Sequence, residues 1–190
     1  MNRFKILGTN MIKGYDHYKG TYRTSPDYIE ELPEDSEINQ LFSWYMEVGG
    51  ELHIISDIEK AKKMVELYKN LTHPHILEVI RILEINEIPP GNEEFLGYDL
   101  SCGYGCSLLS WGLDIDNEVE EEDRLHKQIS PLIRLVKKHF KPLLNKNSLF
   151  DDSETAKFCL ECLMALQDIV PGIFENEEMI FEVIGLSKVC

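Results

Sequence analysis

FLGYDLSCGYGCSLLSWG, residues 95–112, sets Gly97, Gly103, Gly105, Cys102, Cys106 and a single aspartate, Asp99, between apolar runs. It can be read as a phosphate-cradling loop, as half of a metal site, or as a connection between two strands. The glycines do not fall into G-x-G-x-x-G, and no Lys-Ser/Thr pair follows as a P-loop requires. A dinucleotide loop also joins a strand to a helix, whereas residues 107–112 form a short apolar run. Glycine adopts positive φ without steric penalty, so Gly103-Tyr104-Gly105 is expected to turn the chain between two paired strands.

Working outward, HILEVIRILEI is rich in β-branched residues and predicts a strand, IPPGN a turn, and EFLGYDLS the next strand. Upstream, SDIEKAKKMVELYKNLTHP predicts a helix. Ser56 is its expected N-cap, with Glu59 completing a capping box, and Pro74 ends it. Ile58, Ala61, Met64, Val65 and Tyr68 recur at helical spacing, with Lys60, Lys62, Lys63 and Lys69 outside. INQLFSWYMEVGG is too apolar for exposure; it suits a short helix stopped by Gly49 and Gly50 or a strand, and a strand continuing toward ELHIIS is favoured. RFKILG predicts an opening strand. GYDHYKGTYRTSP suits strands joined by turns, and PDYIEELPEDSE, with six acids in twelve residues, an exposed loop.

Downstream, DIDNEVEEED holds seven acids in ten residues and leads into the amphipathic SPLIRLVKKHFKPLL, where Pro131 starts or kinks a helix. Lys137, Lys138 and Lys141 late in that helix complement its dipole. Asp151, Asp152 or Ser153 is expected to cap ETAKFCLECLMALQDI, and EEMIFEVIGLSKV to close the fold as a strand. Strands, one helix, strands, two helices and a strand, without βαβ alternation, predict an α+β fold. A largely antiparallel sheet with three or so helices packed on it is expected, as one globular domain over residues 1–190.

The 190 residues suffice for a core without disulfides or metal. No stretch of 18 apolar residues occurs, the N-terminal segment has no export-signal pattern, and the cysteine number, five, is odd. A reducing, cytoplasmic location is therefore expected. The 34 acids against 19 Lys and Arg give a net charge of −15, which repels nucleic acid and anionic membrane and attracts basic surfaces.

Four thiols, Cys102, Cys106, Cys159 and Cys162, could hold zinc tetrahedrally. Cys159 and Cys162 lie within a helical pattern with Phe158, Leu163 and Leu166, however, and are expected to be core residues on its buried face, with no metal or cofactor bound. Asp114, Asp116 and Glu118 alternate as in a calcium loop. Val119 stands where glycine is needed and Leu125 where the bidentate glutamate is needed, so calcium is not expected. The six histidines show no ligand spacing, and no G-x-S-x-G is present. Tyr98, Asp99, Ser101, Ser107 and Trp111 form the one candidate pocket, with Asp99 as its carboxylate.

Three segments, FLGYDLSCGYGCSLLSWGL, NKNSLFDDSETAKFCLECLMALQ and FEVIGLSKV, together resemble immunity proteins encoded beside bacterial polymorphic or contact-dependent toxins. The resemblance implies a non-enzymatic cytoplasmic protein that binds and blocks one cognate toxin. Many such toxins are basic nucleases, whose phosphate-binding clefts acidic side chains can occupy. On charge alone, the expected partner-binding residues are Asp114, Asp116, Glu118, Glu120, Glu121 and Glu122, with Glu30, Glu31, Glu34 and Asp35 as a second set. The enzyme or small-ligand alternative places its site at Tyr98–Trp111.

Overall fold

The computed structural model describes residues 3–10, 36–49, 54–70, 75–102, 106–107, 124–147, 149–169 and 181–189. These residues form an α+β fold with five strands and four helices. The elements are β1 (Arg3–Asn10), α1 (Glu37–Gly49), α2 (Ile58–Lys69), β2 (His75–Leu83), β3 (Glu94–Cys102), β4 (Cys106–Ser107), α3 (Arg124–Phe140), α4 (Ser153–Ile169) and β5 (Phe181–Lys188). A 3₁₀ turn, Lys141–Leu143, follows α3. The strand order is β1-β2-β5-β3-β4, with β1–β2, β2–β5 and β3–β4 antiparallel, so the closing strand enters between β2 and β3. The chain divides into two compact units, Met1–Leu96 with Gly185–Cys190, and Gly97–Ile184.

In the first unit, Phe4, Ile6, Leu77 and Val79 of β1 and β2 share one core with Ile38 and Tyr45 of α1 and Ala61, Met64, Val65 and Tyr68 of α2. The expected strand over residues 38–50 is instead helix α1. Ile38, Leu41, Phe42 and Tyr45 lie at i, i+3, i+4 and i+7, and Ser36 Oγ accepts from Asn39 N at 3.3 Å as a cap. Helical periodicity over the whole segment thus prevails over continuation as a strand toward ELHIIS. Tyr45 also fixes the helix to the sheet, because its hydroxyl accepts from Ile6 N at 3.3 Å, and burial pushes that phenol up to about 12.

Helix α2 buries Ala61, Met64, Val65 and Tyr68 of the expected face, with Ile58 half-buried, but its cap lies one residue later than read from the sequence. Asp57 Oδ1 accepts from Lys60 N at 3.1 Å, while Ser56 stands exposed outside the helix. Both residue types cap well, and the ionised one also interacts favourably with the helix dipole. Trp44 of α1 lies under Lys60 Nζ at 4.9 Å, and Lys63 of α2 pairs with Glu37 of α1.

In the second unit, Phe140 at the end of α3 is buried and meets the Phe150 ring edge-on at 6.1 Å and the Phe158 ring at 5.6 Å. Pro131 lies inside α3 and is exposed. Ala156, Cys159, Leu163 and Leu166 form the buried stripe of α4, spaced by three and four residues. Asp152 is the cap of that helix: its carboxylate accepts from Thr155 N at 2.7 Å and from Thr155 Oγ1 at 2.8 Å.

The Thr155 backbone bond, then its hydroxyl bond, holds the Asp152 carboxyl below its ordinary value. Asp152→Ala is therefore expected to cost about 1 kcal/mol near neutrality. Because the folded-state pKa is depressed, this stabilisation is fully present above the ordinary carboxylate value. It is lost as pH falls through the folded value. Urea denaturation of both proteins at neutral and strongly acid pH checks it: the gap should close in acid, and a gap that persists there would contradict the cap.

Candidate functional site

Every acidic residue of the two expected partner-binding sets, Asp114, Asp116, Glu118, Glu120, Glu121 and Glu122, and Glu30, Glu31, Glu34 and Asp35, lies outside the described residues. So do Trp111, residues 103–105, where a turn is expected, and the tyrosine-rich segment 14–26. Of the candidate pocket, Tyr98, Asp99 and Ser101 lie on β3 and Ser107 on β4. Ser101 pairs with Ser107 and Cys102 with Cys106, so the two sides of the glycine-rich segment are paired strands, as the glycine pattern predicts.

Strand β3 alternates Tyr98 and Leu100 on one face with Gly97, Asp99 and Ser101 on the other. Leu100, Asp99 and Ser101 are all buried. One carboxylate oxygen of Asp99 accepts from Leu100 N at 2.8 Å. Tyr98 exchanges two backbone bonds with Phe150, at 2.8 and 3.0 Å, which adds the 149–150 segment to β3.

That addition depends on Gly97. Its φ is +136°, and a Cβ there would stand 2.7 Å from Leu149 Cβ, 2.8 Å from Phe150 O and 3.0 Å from Asn145 Nδ2. Asn145 shapes the opposing turn: its Oδ1 accepts from Asn147 N at 2.8 Å, and its Nδ2 donates to Asp151 Oδ1 at 2.8 Å. Gly97 and residues 145–151, from two of the three segments that carry the resemblance, thus meet in space.

Cys159 is buried on α4 and Cys162 is half-buried one turn later. Burial, with a smaller contribution from Cys162, pushes the Cys159 thiol up to about 12; burial and then Glu161 raise Cys162. Raised thiol pKa values of this kind do not suit a nucleophile. Among the described residues, no group of three or more His, Cys, Asp and Glu side chains is placed to hold a metal ion.

Among the described residues, the most enclosed ion pair is one that sequence reading missed. Phe4, Arg81 and Ser187 are register partners across β1, β2 and β5. Over this row lies Glu93, whose side chain is 2% exposed, against 12% for Arg81. Arg81 Nε donates to both Glu93 oxygens at 2.9 and 3.0 Å, and Nη2 lies 2.8 Å from Oε1. Ser187 Oγ donates to Oε2 at 2.6 Å, and the guanidinium sits 4.6 Å above the Phe4 ring. Both carboxylate oxygens are engaged and the hydroxyl is fully enclosed, so the cluster ties β5 to β2 and to the start of β3 and presents no reactive group. Lys188 and Glu78 add a second ion pair between β5 and β2.

No helix among the described residues is long and apolar enough to cross a membrane. Comparison of the chain with protein-family models, with curated proteins and with solved structures finds no match.

Proposed function

We propose that the chain is a non-enzymatic binding protein of the toxin-immunity type, which engages a basic protein partner through its acidic segments. The observation that carries this reading is where the charge lies. Residues 26–37 hold six acids and residues 114–123 seven, with no Lys or Arg in either segment, so 13 of the 34 acids fall in 22 of the 190 residues. Acids gathered in two cation-free segments favour steering of a cationic partner over simple solubility, which a dispersed charge would serve as well.

The ionisable side chains described above hold strands, turns and helix ends together, which supports a binding role over a catalytic one. The resemblance to immunity proteins points to a basic toxin as the partner, with a nuclease as its most specific form. Cytoplasmic residence belongs to the same reading.

The test is capture from the native host, with the immobilised chain as bait at low and high salt. A parallel bait has Asp114, Asp116, Glu118, Glu120, Glu121 and Glu122 replaced by Asn or Gln. A basic protein should be retained by the unaltered bait at low salt, released at high salt, and lost from the neutralised bait. Retention of no basic protein, or equal retention by both baits, would overturn the reading.

A further inference from the structure

The sheet brings two of the five cysteines opposite one another. Cys102 ends β3 and Cys106 begins β4, and the two are direct register partners in that antiparallel pair, next to the Ser101–Ser107 pair. Residues directly opposite in an antiparallel ladder have Cα atoms about 4.5 or about 5.5 Å apart, for non-hydrogen-bonded and hydrogen-bonded pairs respectively. A disulfide joins residues whose Cα atoms are about 4.4–6.8 Å apart, so either kind of position meets its backbone requirement. The other described cysteines are placed differently: Cys159 is fully enclosed on α4, out of reach of a dissolved oxidant, and Cys162 lies on the same helix.

We propose that Cys102 and Cys106 are a reversible dithiol–disulfide pair, oxidised by exchange with a small disulfide of the glutathione class. One cysteine thiolate attacks a sulfur of the small disulfide, which forms a mixed disulfide and releases one small thiolate. The second cysteine thiolate attacks the protein sulfur of that mixed disulfide, which closes the Cys102–Cys106 bond and releases the second small thiolate. The protein pair loses two electrons and two protons, and the small disulfide gains both and leaves as two thiols. In a reducing compartment protein disulfides are usually transient and redox-sensing, which fits a pair at the end of two strands better than a permanent staple. The oxidised form holds the ladder that carries Ser101 and Ser107 closed, and the dithiol form releases that constraint. The switch does not depend on which partner the chain binds.

The full chain, equilibrated with mixtures of reduced and oxidised glutathione, is alkylated to trap free thiols and digested with trypsin. No Lys or Arg occurs in residues 82–123, so peptide 82–124 carries Cys102 and Cys106 and no other cysteine. Once oxidised, that peptide should take up no alkylating agent and weigh two hydrogens less than the unalkylated dithiol peptide. Cys102→Ser and Cys106→Ser should each instead retain one glutathione on the remaining cysteine. The exchange constant of the native chain should exceed that of the chain in concentrated urea by at least about tenfold, because the fold sets the two cysteines opposite. Equal constants in the native chain and in urea would overturn the proposal, since the short spacing alone would then account for the bond. An unchanged mass of peptide 82–124 across all mixtures would also overturn it, as would joining of either cysteine to Cys159, Cys162 or Cys190 in preference to the other.

Discussion

Gly97→Ala is expected to destabilise the protein by about 4 kcal/mol, the sum of backbone strain and forced overpacking. The φ of +136° is one that an L side chain rarely adopts, and the new methyl would meet Phe150 O and Leu149 Cβ inside contact distance. Neither neighbour can yield cheaply. The carbonyl belongs to a backbone pair with Tyr98, and the turn behind it is fixed by Asn145. A melting temperature lower by about 8–16 °C is the corresponding thermal result. Gly91→Ala is the control, because no atom lies within 4 Å of the added carbon. It should change stability by less than about 0.5 kcal/mol. Near-equal stability of the two variants would show that the 145–150 segment does not press on β3 as described.

Glu93→Ala should cost about 3–5 kcal/mol, because it leaves the Arg81 guanidinium enclosed with no counter-charge. Arg81→Ala should cost as much, for the converse reason and for the lost packing on Phe4. The double substitution should lose clearly less than the sum of the two, since no stranded charge remains. Denaturant titrations of the three variants measure the coupling. Additive losses would mean that the two side chains act independently and that the enclosed pair is not what joins β5 to β2.

These two sites differ in how far they could be foreseen. The strands around Gly97 were legible because turn glycines punctuate an apolar alternation, and β2, β3 and β5 lie where the pattern places them. The positive φ of Gly97 was not legible, since it arises from a segment some fifty residues later in the chain. Arg81 was hidden in a strand buried on both faces, where Val79, Ile80, Ile82 and Leu83 give no alternation to mark one side. Glu93 precedes an exposed Glu94, and local sequence gives the two the same character; only tertiary pairing with Arg81 and Ser187 separates them.

Helix α1 shows the opposite failure, in which a real signal was outweighed. Ile38, Leu41, Phe42 and Tyr45 are at helical spacing, but the aromatics between residues 42 and 45 resemble a strand over any short window. At α2, Ser56 and Asp57 are adjacent competent caps, and sequence alone ranks them equally. Of the candidate site, the pairing of Ser101 with Ser107 followed from the strand pattern, whereas the use of Asp99 by Leu100 N depends on backbone geometry. The concentration of acids in residues 26–37 and 114–123 was legible from composition alone.

The salt dependence of association tests the central claim most directly. Stopped-flow mixing of the captured basic partner with the unaltered chain and with the neutralised 114–122 variant, from about 0.02 to 0.5 M salt, gives both slopes. An electrostatically steered encounter predicts an on-rate for the unaltered chain that falls at least about tenfold over this range, and a slower, nearly salt-independent rate for the variant. Equal on-rates with equal salt slopes would contradict the claim that the acidic segments recruit the partner.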